Sequence, residues 1–556
     1  MRSLNVKPKA KEATKLIAED AIIALLYMGV GKLSLLNTFL DSNIGTVWPV
    51  AGIALAAILL RGYRILGGLF IGVVLVTFPF ESSKMLGLSF AAAVANCLGP
   101  LTTVLLIDKT IGDRERLFTH IRNLVLLLGI CIPIGSFLNA SLLTIAFYVF
   151  GFLSPDVLRT AFLTFWVSNF QGFLIIGSLL LIWSRRPEFE VHSREIIEGT
   201  ILVALLVVIS VFVFRSPYPF SYAPIIFLIW AAIRFYLHGA TLAATIVSGI
   251  AVTLTSAGYG PFIVKEAGTI LLNDSLLLLQ LYIGFVTTAA LLLAATVIER
   301  NAVQAVQAQM AGELNAAHDI QMSMVPLTFP PFPDREEFDI YATLRPAKEV
   351  GGDFYEFFFI NDNLFCFCIG DVSGKGVPAA LFMAMTRTHV NSNAGDGRSA
   401  AKILERVNDA LSRNNENAMF VSVFLGILDV TTGNVVYTNA GHNPPYIRRR
   451  DGLLQRLDDR HGPVIGAMSG IRYKEATEIL SPGDLLFSYT DGVTEAMNSH
   501  GALFTEERLR AHLSKLQNQN ANSAVEDVVA AVMEFEDVEQ TDDITMLALE
   551  FREKLT

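Results

Sequence analysis

Charge is scarce in this chain, and cysteine scarcer. Only 17% of its 556 residues are Asp, Glu, Lys or Arg, 52% are apolar, and the mean hydropathy is +0.48. That balance is too apolar for an ordinary soluble protein of this length. The four cysteines supply no disulfide framework. Cys97 and Cys131 lie in apolar runs, and Cys366 and Cys368 alternate on one face of a strand-like run. A single Cys-x-Cys with no second pair and no neighbouring histidine reads as apolar filler, not as metal or redox chemistry. The first apolar run lacks a small-residue cleavage site and leads into further runs, which argues against a cleavable signal peptide. Acids are missing from the interiors of the apolar runs, with Asp20, Asp41 and Asp274 standing near run ends. A transporter with paired acids at the membrane centre is therefore disfavoured.

The apolar excess is local. Residues 1–300 hold 21 Lys and Arg against 16 Asp and Glu, whereas residues 301–556 hold 21 against 36. A basic, apolar half before an acidic, mixed half reads as a membrane domain joined to a soluble one, and the acid excess argues against nucleic acid as a partner. Apolar runs fall near 21–36, 46–60, 65–80, 85–107, 124–150, 160–183, 200–214, 222–237, 239–258 and 270–298. Ten crossings are expected, with eight as the rival number, because several runs are shorter than the roughly 20 residues of a perpendicular span. Loop charge favours ten. If Lys7, Lys9, Lys11 and Lys15 are cytoplasmic, so are Arg61, Arg64, Lys109, Arg114, Arg116, Arg122, Arg185, Arg186, Arg194 and Arg234, leaving Lys84, Arg159, Arg215 and Lys265 outside. Both termini of this multi-pass inner-membrane protein are then cytoplasmic. Asn96, Asn139, Asn169 and Gln171 are candidate functional residues within the runs, since an unpaired amide is costly in hydrocarbon; hydrogen bonding between helices is the plain alternative. Pro49 and Pro133 are expected to kink their helices and free carbonyls that line a pocket.

From Glu299 to Pro326 no Gly-Pro break interrupts the chain, and Val303, Val306, Met310, Leu314 and Ala317 recur at spacings of three and four. This predicts a helix with one apolar stripe, suited to a two-stranded coiled coil in a homodimer; a single helix lying on the following domain is the alternative. The proline-rich stretch from Leu327 to Asp334 ends it.

Four separated acidic points mark the second half: Gly351-Gly352-Asp353, Gly370-Asp371-Val372, Thr490-Asp491-Gly492 and Thr541-Asp542-Asp543. Each lies beside Gly or a second acid at the end of an apolar run. Carboxylates arriving from several strand ends hold hard cations such as Mg²⁺ or Mn²⁺ and leave water positions open for chemistry. Surface turns that happen to carry Asp account for any one of these points and poorly for all four. Strand-like runs near 338–344, 353–360, 364–370, 420–429, 434–439, 445–450, 485–490 and 545–551 come in blocks with helical stretches at 377–393, 399–414, 506–516 and 523–535. Blocks rather than strict alternation predict antiparallel sheets with flanking helices. Gly370 to Gly376 is not a nucleotide-binding loop, because the glycine spacing is short and Gly376 stands where Ser or Thr follows the lysine.

These motifs, with Ala440-Gly441-His442-Asn443-Pro444-Pro445 and Pro482-Gly483-Asp484, resemble the bacterial metal-dependent Ser/Thr phosphatases of the sporulation stage II protein E type, in the protein phosphatase 2C superfamily. The resemblance spans roughly residues 311–552 and includes each acidic motif in order. Glu356 stands where Asp is more usual, and Phe504-Thr505 where Phe-Gly is. The resemblance implies an α/β/β/α sandwich and two Mn²⁺ or Mg²⁺ ions. Asp371 would bridge them, with the Val372 carbonyl on one, Asp491 and Asp542 completing the second, and Asp353 holding metal or its water. Asp543 can exchange roles with Asp542, because sequence does not say which acid points inward. Asp353, Asp371, Asp491 and Asp542 are thus the expected catalytic set, serving an activated water that attacks phosphoserine or phosphothreonine without a covalent phosphoenzyme. Lys375 is a candidate for phosphate binding or a solvated turn lysine, and His442 a general acid or a turn buttress. A phosphorylated anti-sigma-factor antagonist is the implied substrate. A phosphatase fold without catalysis that only docks a partner at the membrane is the alternative.

In the first half, Trp48-Pro49-Val50-Ala51-Gly52, Asn96-Cys97-Leu98, Trp166-Val167-Ser168-Asn169, Trp230 to Phe235 and Gly258 to Phe262 resemble the first type of bacterial membrane-associated sensor domain over about residues 18–300. That domain precedes cytoplasmic signalling outputs. The expected organisation is a polytopic α-helical membrane sensor domain (18–298), a helical connector (299–326) and a cytoplasmic α+β phosphatase domain (327–552).

Overall fold

In the first half, long runs of Leu, Ile, Val and Ala satisfy their backbone polar groups internally as helices, the form that hydrocarbon surroundings demand. The computed structural model describes residues 10–36, 47–77, 82–187, 192–266, 269–270, 272–396, 399–516, 520–538 and 540–553. Lys7, Lys9 and Asp41 lie outside these residues. The chain divides into two compact units, 1–306 and 307–556.

The first unit contains α1 (Ala10–Leu36), α2 (Pro49–Arg61), α3 (Leu66–Val76), α4 (Ser83–Thr110), α5 (Ile121–Leu126), α6 (Ile132–Val149), α7 (Leu158–Gly172), α8 (Ser178–Trp183), α9 (Ser193–Arg215), α10 (Ile225–Ser256), a hairpin of β1 (Lys265–Glu266) and β2 (Thr269–Ile270), and the beginning of α11 (Leu272–Met324). One π-helical turn, Leu127–Cys131, joins α5 to α6, and another, Phe173–Gly177, joins α7 to α8. Six helical stretches among the described residues are long and apolar enough to cross a membrane: 83–110, 121–149, 155–183, 193–215, 225–256 and 274–324. α2 and α3 are apolar but shorter. The two runs expected at 222–237 and 239–258 fall in α10, which breaks at Tyr236 with φ 50° and ψ −139°.

Pro49 does not kink its helix. It occupies the first turn of α2, where a missing N–H costs nothing. Pro133 follows directly on the π-helical turn, and its carbonyl accepts the Trp166 indole N–H at 3.1 Å. Two of the polar residues flagged in the runs join helices: Asn139 Nδ2 donates to the Ala95 carbonyl at 3.0 Å, and Gln171 Nε2 to that of Gln280 at 2.5 Å.

The second unit is a four-layer sandwich. One antiparallel sheet has the order β10-β7-β6-β5-β4, built from β4 (Phe354–Phe359), β5 (Leu364–Val372), β6 (Val421–Asp429), β7 (Asn434–Ala440) and β10 (Ala476–Ile479). The other has the order β3-β12-β11-β8-β9, from β3 (Phe338–Arg345), β8 (Tyr446–Arg448), β9 (Leu454–Arg456), β11 (Leu485–Tyr489) and β12 (Ile544–Phe551). Period two sorts β5 between layers. Phe365, Phe367 and Ile369 face the other sheet in a core with Phe338, Phe357, Phe424 and Leu547. Cys366 and Cys368 face α12 (Val377–Asn393) and α13 (Ala400–Leu411), buried among apolar side chains. The outer face of the second sheet packs on α15 (Thr505–Lys515) and α16 (Ala521–Phe535). Both sheets run their central strands to one shared end, and the acidic motifs lie there.

Candidate functional site

Asp353 directly precedes β4, and the register Phe354↔Gly370 sets it beside Asp371 near the end of β5. From the other sheet, Asp491 opens the short helix α14 (Asp491–Glu495) just after β11, and Asp542 and Asp543 directly precede β12. β11 and β12 pair through Tyr489↔Met546, so these acids also share one end. Thr490 fastens the two sheets together at this point. Its backbone N–H donates to the Thr545 carbonyl at 3.0 Å, while its hydroxyl donates to Asp353 Oδ2 at 2.7 Å.

The two adjacent acids divide their work. The Asp543 carboxylate accepts the backbone N–H groups of Ala347 at 2.8 Å, Gly352 at 2.7 Å and Asp353 at 3.3 Å, pinning the loop that carries Asp353. That approach requires glycine on both sides: a Cβ on Gly351 would meet Asp543 Oδ2 at 2.2 Å, and one on Gly492 the Asp543 carbonyl at 2.0 Å. Asp542 instead pairs with Lys375 Nζ at 3.0 Å, and Lys375 also donates to the Thr541 carbonyl at 2.6 Å. Lys375 is therefore tied to the acidic cluster while remaining partly exposed.

The remaining carboxylates repel one another. Burial, then the charges of Asp371 and Asp543, push Asp353 well above the usual carboxylate range. Burial, followed by Asp491 and Asp542, raises Asp371 to about 7. Asp491 is raised by burial, Glu495 and Asp542. Among the described residues no three acidic, His or Cys side chains close into a ready-made metal cage. The donor set nevertheless fits a hard divalent cation: all its ligating atoms, including the Val372 carbonyl, are oxygens, and its buried negative charge is only partly offset by Lys375.

Two contacts that no sequence signal indicated hold the Asp353 loop from behind. Gln321, buried on α11, donates through Nε2 to the Gly351 carbonyl at 2.6 Å, and its Oε1 accepts the Gly351 N–H at 3.1 Å. His318 Nδ1 lies 2.6 Å from the Glu349 carbonyl.

His442 is a buttress. It is buried beside the Ser422 hydroxyl at 2.8 Å, and its backbone exchanges two hydrogen bonds with the Asn439 side chain. Burial pulls the ring down to about 4, so the neutral imidazole, not the imidazolium, prevails at neutral pH. The two departures from the usual motif stand apart from the acids. Glu356 pairs with Arg387 at 2.5 Å. Thr505 holds φ 65°, a left-handed conformation that explains why glycine is more usual there.

The stage II sporulation protein E (SpoIIE) family matches residues 361–552, beginning after Asp353, and the MASE1 family matches residues 21–301. The chain is similar to Protein IcfG of Synechocystis sp., 31% identical over 266 residues that cover 43% of this chain and 41% of that protein. It is also similar to phosphoserine phosphatase RsbU of Bacillus subtilis, 27% identical over 252 residues that cover 45% of this chain and 73% of RsbU. It thus spans less than half of the length of the first of these relatives. Among solved structures it is similar to the SiaA-PP2C domain of Pseudomonas aeruginosa, 25% identical with a TM-score of 0.40, covering 44% of this chain and 99% of that one.

Proposed function

Because the chain belongs to the MASE1 family and carries a phosphatase domain of the stage II sporulation protein E type, we propose that it is a membrane-bound, metal-dependent protein serine/threonine phosphatase controlled from its membrane half. The observation that carries the proposal is the meeting of Asp353, Asp371, Asp491 and Asp542 at one end of both sheets, each of the first three driven toward protonation by burial and its neighbours. Asp371, Asp491, Asp542 and the Val372 carbonyl would hold two Mn²⁺ or Mg²⁺ ions, with Asp353 on metal or its water. Such ions neutralise phosphate oxygens and make a bound water acidic. The protein's own part is placement. Thr490 fixes the carboxylate of Asp353, Asp543 and Gln321 fix the backbone leading into it, and Lys375 at the open edge supplies positive charge for an incoming phosphate. The substrate class is a phosphoserine or phosphothreonine protein, and the resemblance points to a phosphorylated anti-sigma-factor antagonist. RsbU, named a phosphoserine phosphatase, supports that class.

The proposed division is a membrane sensor domain at 18–298, a connector at 299–326 and a phosphatase domain at 327–552, with both termini cytoplasmic. Val303, Val306 and Met310 support a homodimer through the connector, because this apolar stripe is exposed by 53%, 53% and 60%. The same helix carries His318 and Gln321 near its end, where they grip the loop leading to Asp353, so turning it would displace that loop.

Three experiments check these points. Chelator is expected to abolish hydrolysis of a phosphorylated antagonist and Mn²⁺ to restore it, and Asp371→Asn to lower turnover by at least about a hundredfold while the chain stays folded; full activity in chelator contradicts the metal mechanism. Reporters fused after Lys84 and Lys265 should read outside, and those after Arg186 and Arg300 cytoplasm, whereas a cytoplasmic result at Lys265 with Arg300 still inside favours eight crossings. Inserting one to seven alanines after Ala308 turns the helix by about 100° per residue, so activity should rise and fall with near recovery at seven. A flat series makes the connector a tether.

A further inference from the structure

We propose that the membrane half binds a small, uncharged aromatic molecule bearing a hydroxyl group, in a cavity bounded by α1, α3, α4, α6 and α7. The cavity has a volume of about 140 Å³. An apolar cavity of about 150 Å³ takes up one benzene molecule, so this one has room for a single substituted ring. Four aromatic side chains line it, Tyr27, Trp48, Phe147 and Phe165, together with Asn96 and Asn169. Rings in such a setting pack edge-to-face or offset against an aromatic guest. Among the described residues no charged side chain lines the cavity. An ionised guest would therefore be buried without a counter-charge.

The polar atoms narrow the class further. Asn96 is satisfied, donating to the Ala92 carbonyl at 2.9 Å and accepting from Asn139 Nδ2 at 3.4 Å. Asn169 uses its Nδ2 on the Phe165 carbonyl at 2.8 Å, yet its Oδ1 has no hydrogen-bond partner among the described residues. The Tyr27 hydroxyl likewise makes no bond of good geometry, although the Trp48 side chain lies close enough to interact with its oxygen, and its O–H is left to donate. Tyr27 is fully buried and Asn169 is 2% exposed, so bulk water does not reach either atom. The cavity thus offers one donor, the Tyr27 O–H, and one acceptor, the Asn169 carbonyl. A hydroxyl on the guest answers both, accepting from the first and donating to the second. A hydrocarbon chain answers neither and leaves two buried polar atoms unpaired.

The site is connected to elements that can report occupancy. Trp48 is fixed by its backbone N–H, which donates to the Ser168 carbonyl at 3.1 Å. Just past Asn169, Gln171 bonds α7 to the Gln280 carbonyl of α11. The π-helical turn Phe173–Gly177 follows at once, and π-turns inside helices recur at functional sites.

The test is equilibrium binding of labelled phenol to the full chain in lipid nanodiscs, corrected for uptake by empty nanodiscs. Toluene serves as the ring without hydroxyl, benzoate as the charged ring, and binding is read without reference to phosphatase activity. One saturable phenol site per chain is expected, with the Tyr27→Phe variant binding phenol roughly three- to tenfold more weakly, the loss of one buried hydrogen bond, toluene binding the wild type more weakly still because it loses both, and benzoate not binding. Asn169→Leu should weaken phenol in the same direction; if that variant does not fold, the shape-preserving Tyr27→Phe decides. Phenol uptake no greater than in empty nanodiscs, equal affinity for phenol and toluene, or undiminished phenol binding in Tyr27→Phe overturns the proposal.

Discussion

Mutual repulsion among carboxylates is the constraint around which the second unit is arranged. Asp353, Asp371 and Asp491 are all raised above the ordinary range by burial and by their acidic neighbours. A chain free to relax would move such groups apart. Here they are fixed by the ends of β4, β5, β11 and β12, by the Thr490 hydroxyl reaching from one sheet to Asp353 in the other, and by Asp543 gathering three backbone N–H groups. The aromatic core between the sheets, with Phe365 and Phe367 on one strand of the pair, holds the strand ends in place. Stability in the core is thus used to hold an electrostatically unfavourable cluster, as expected of a functional site.

Much of this arrangement was legible in the sequence, because the acids sit at the ends of strongly patterned strands. β-branched and aromatic runs marked eight of the ten strands in the second unit; the two missed, Leu454–Arg456 and Ala476–Ile479, are short and polar or mixed, with too little periodicity to read. Which of Asp542 and Asp543 faces the cluster was not legible, since adjacent residues differ only in backbone direction. In the fold the loop from Ala347 to Asp353 hydrogen-bonds the Asp543 carboxylate, while Asp542 pairs with Lys375. Gln321 was invisible for another reason: a glutamine in a helical stripe has no signature, and its role exists only because Gly351 is brought to it from thirty residues away. Pro49 was misread as a kink because its place relative to the helix start depends on where Trp48 leaves the helix.

In the first unit, hydropathy located the helices and said less about their boundaries. Two π-helical turns and the break at Tyr236 change how runs join, and none has a clear apolar signal. The polar residues in those runs proved to be of two kinds. Asn139 and Gln171 bond helix to helix, whereas Asn169 bonds only within its own helix and lines a cavity; among the described residues all three leave a buried side-chain carbonyl unpaired. Residue type alone does not separate these cases; the partner does.

The account rests on the proposal that the acidic cluster binds divalent cations, and the most direct measurement is the thermal stability of the metal-free chain as a function of pH, with and without Mn²⁺. Asp371 titrates at about 7 in the fold against an ordinary value of 3.8. Between these values Asp371 binds more proton in the folded state than in the unfolded one, so its own contribution to stability is greatest at the acid end and is lost as pH rises toward 7; buried His442, pulled down to about 4, contributes in the opposite sense, and the difference between wild type and Asp371→Asn isolates the Asp371 part. Mn²⁺ should remove that fall by raising stability most at neutral pH, and Asp371→Asn should flatten the metal-free profile and blunt the response to Mn²⁺. A metal-free stability difference between wild type and Asp371→Asn that does not decline between about pH 4 and 7, or a wild-type profile that Mn²⁺ leaves unchanged, would contradict it.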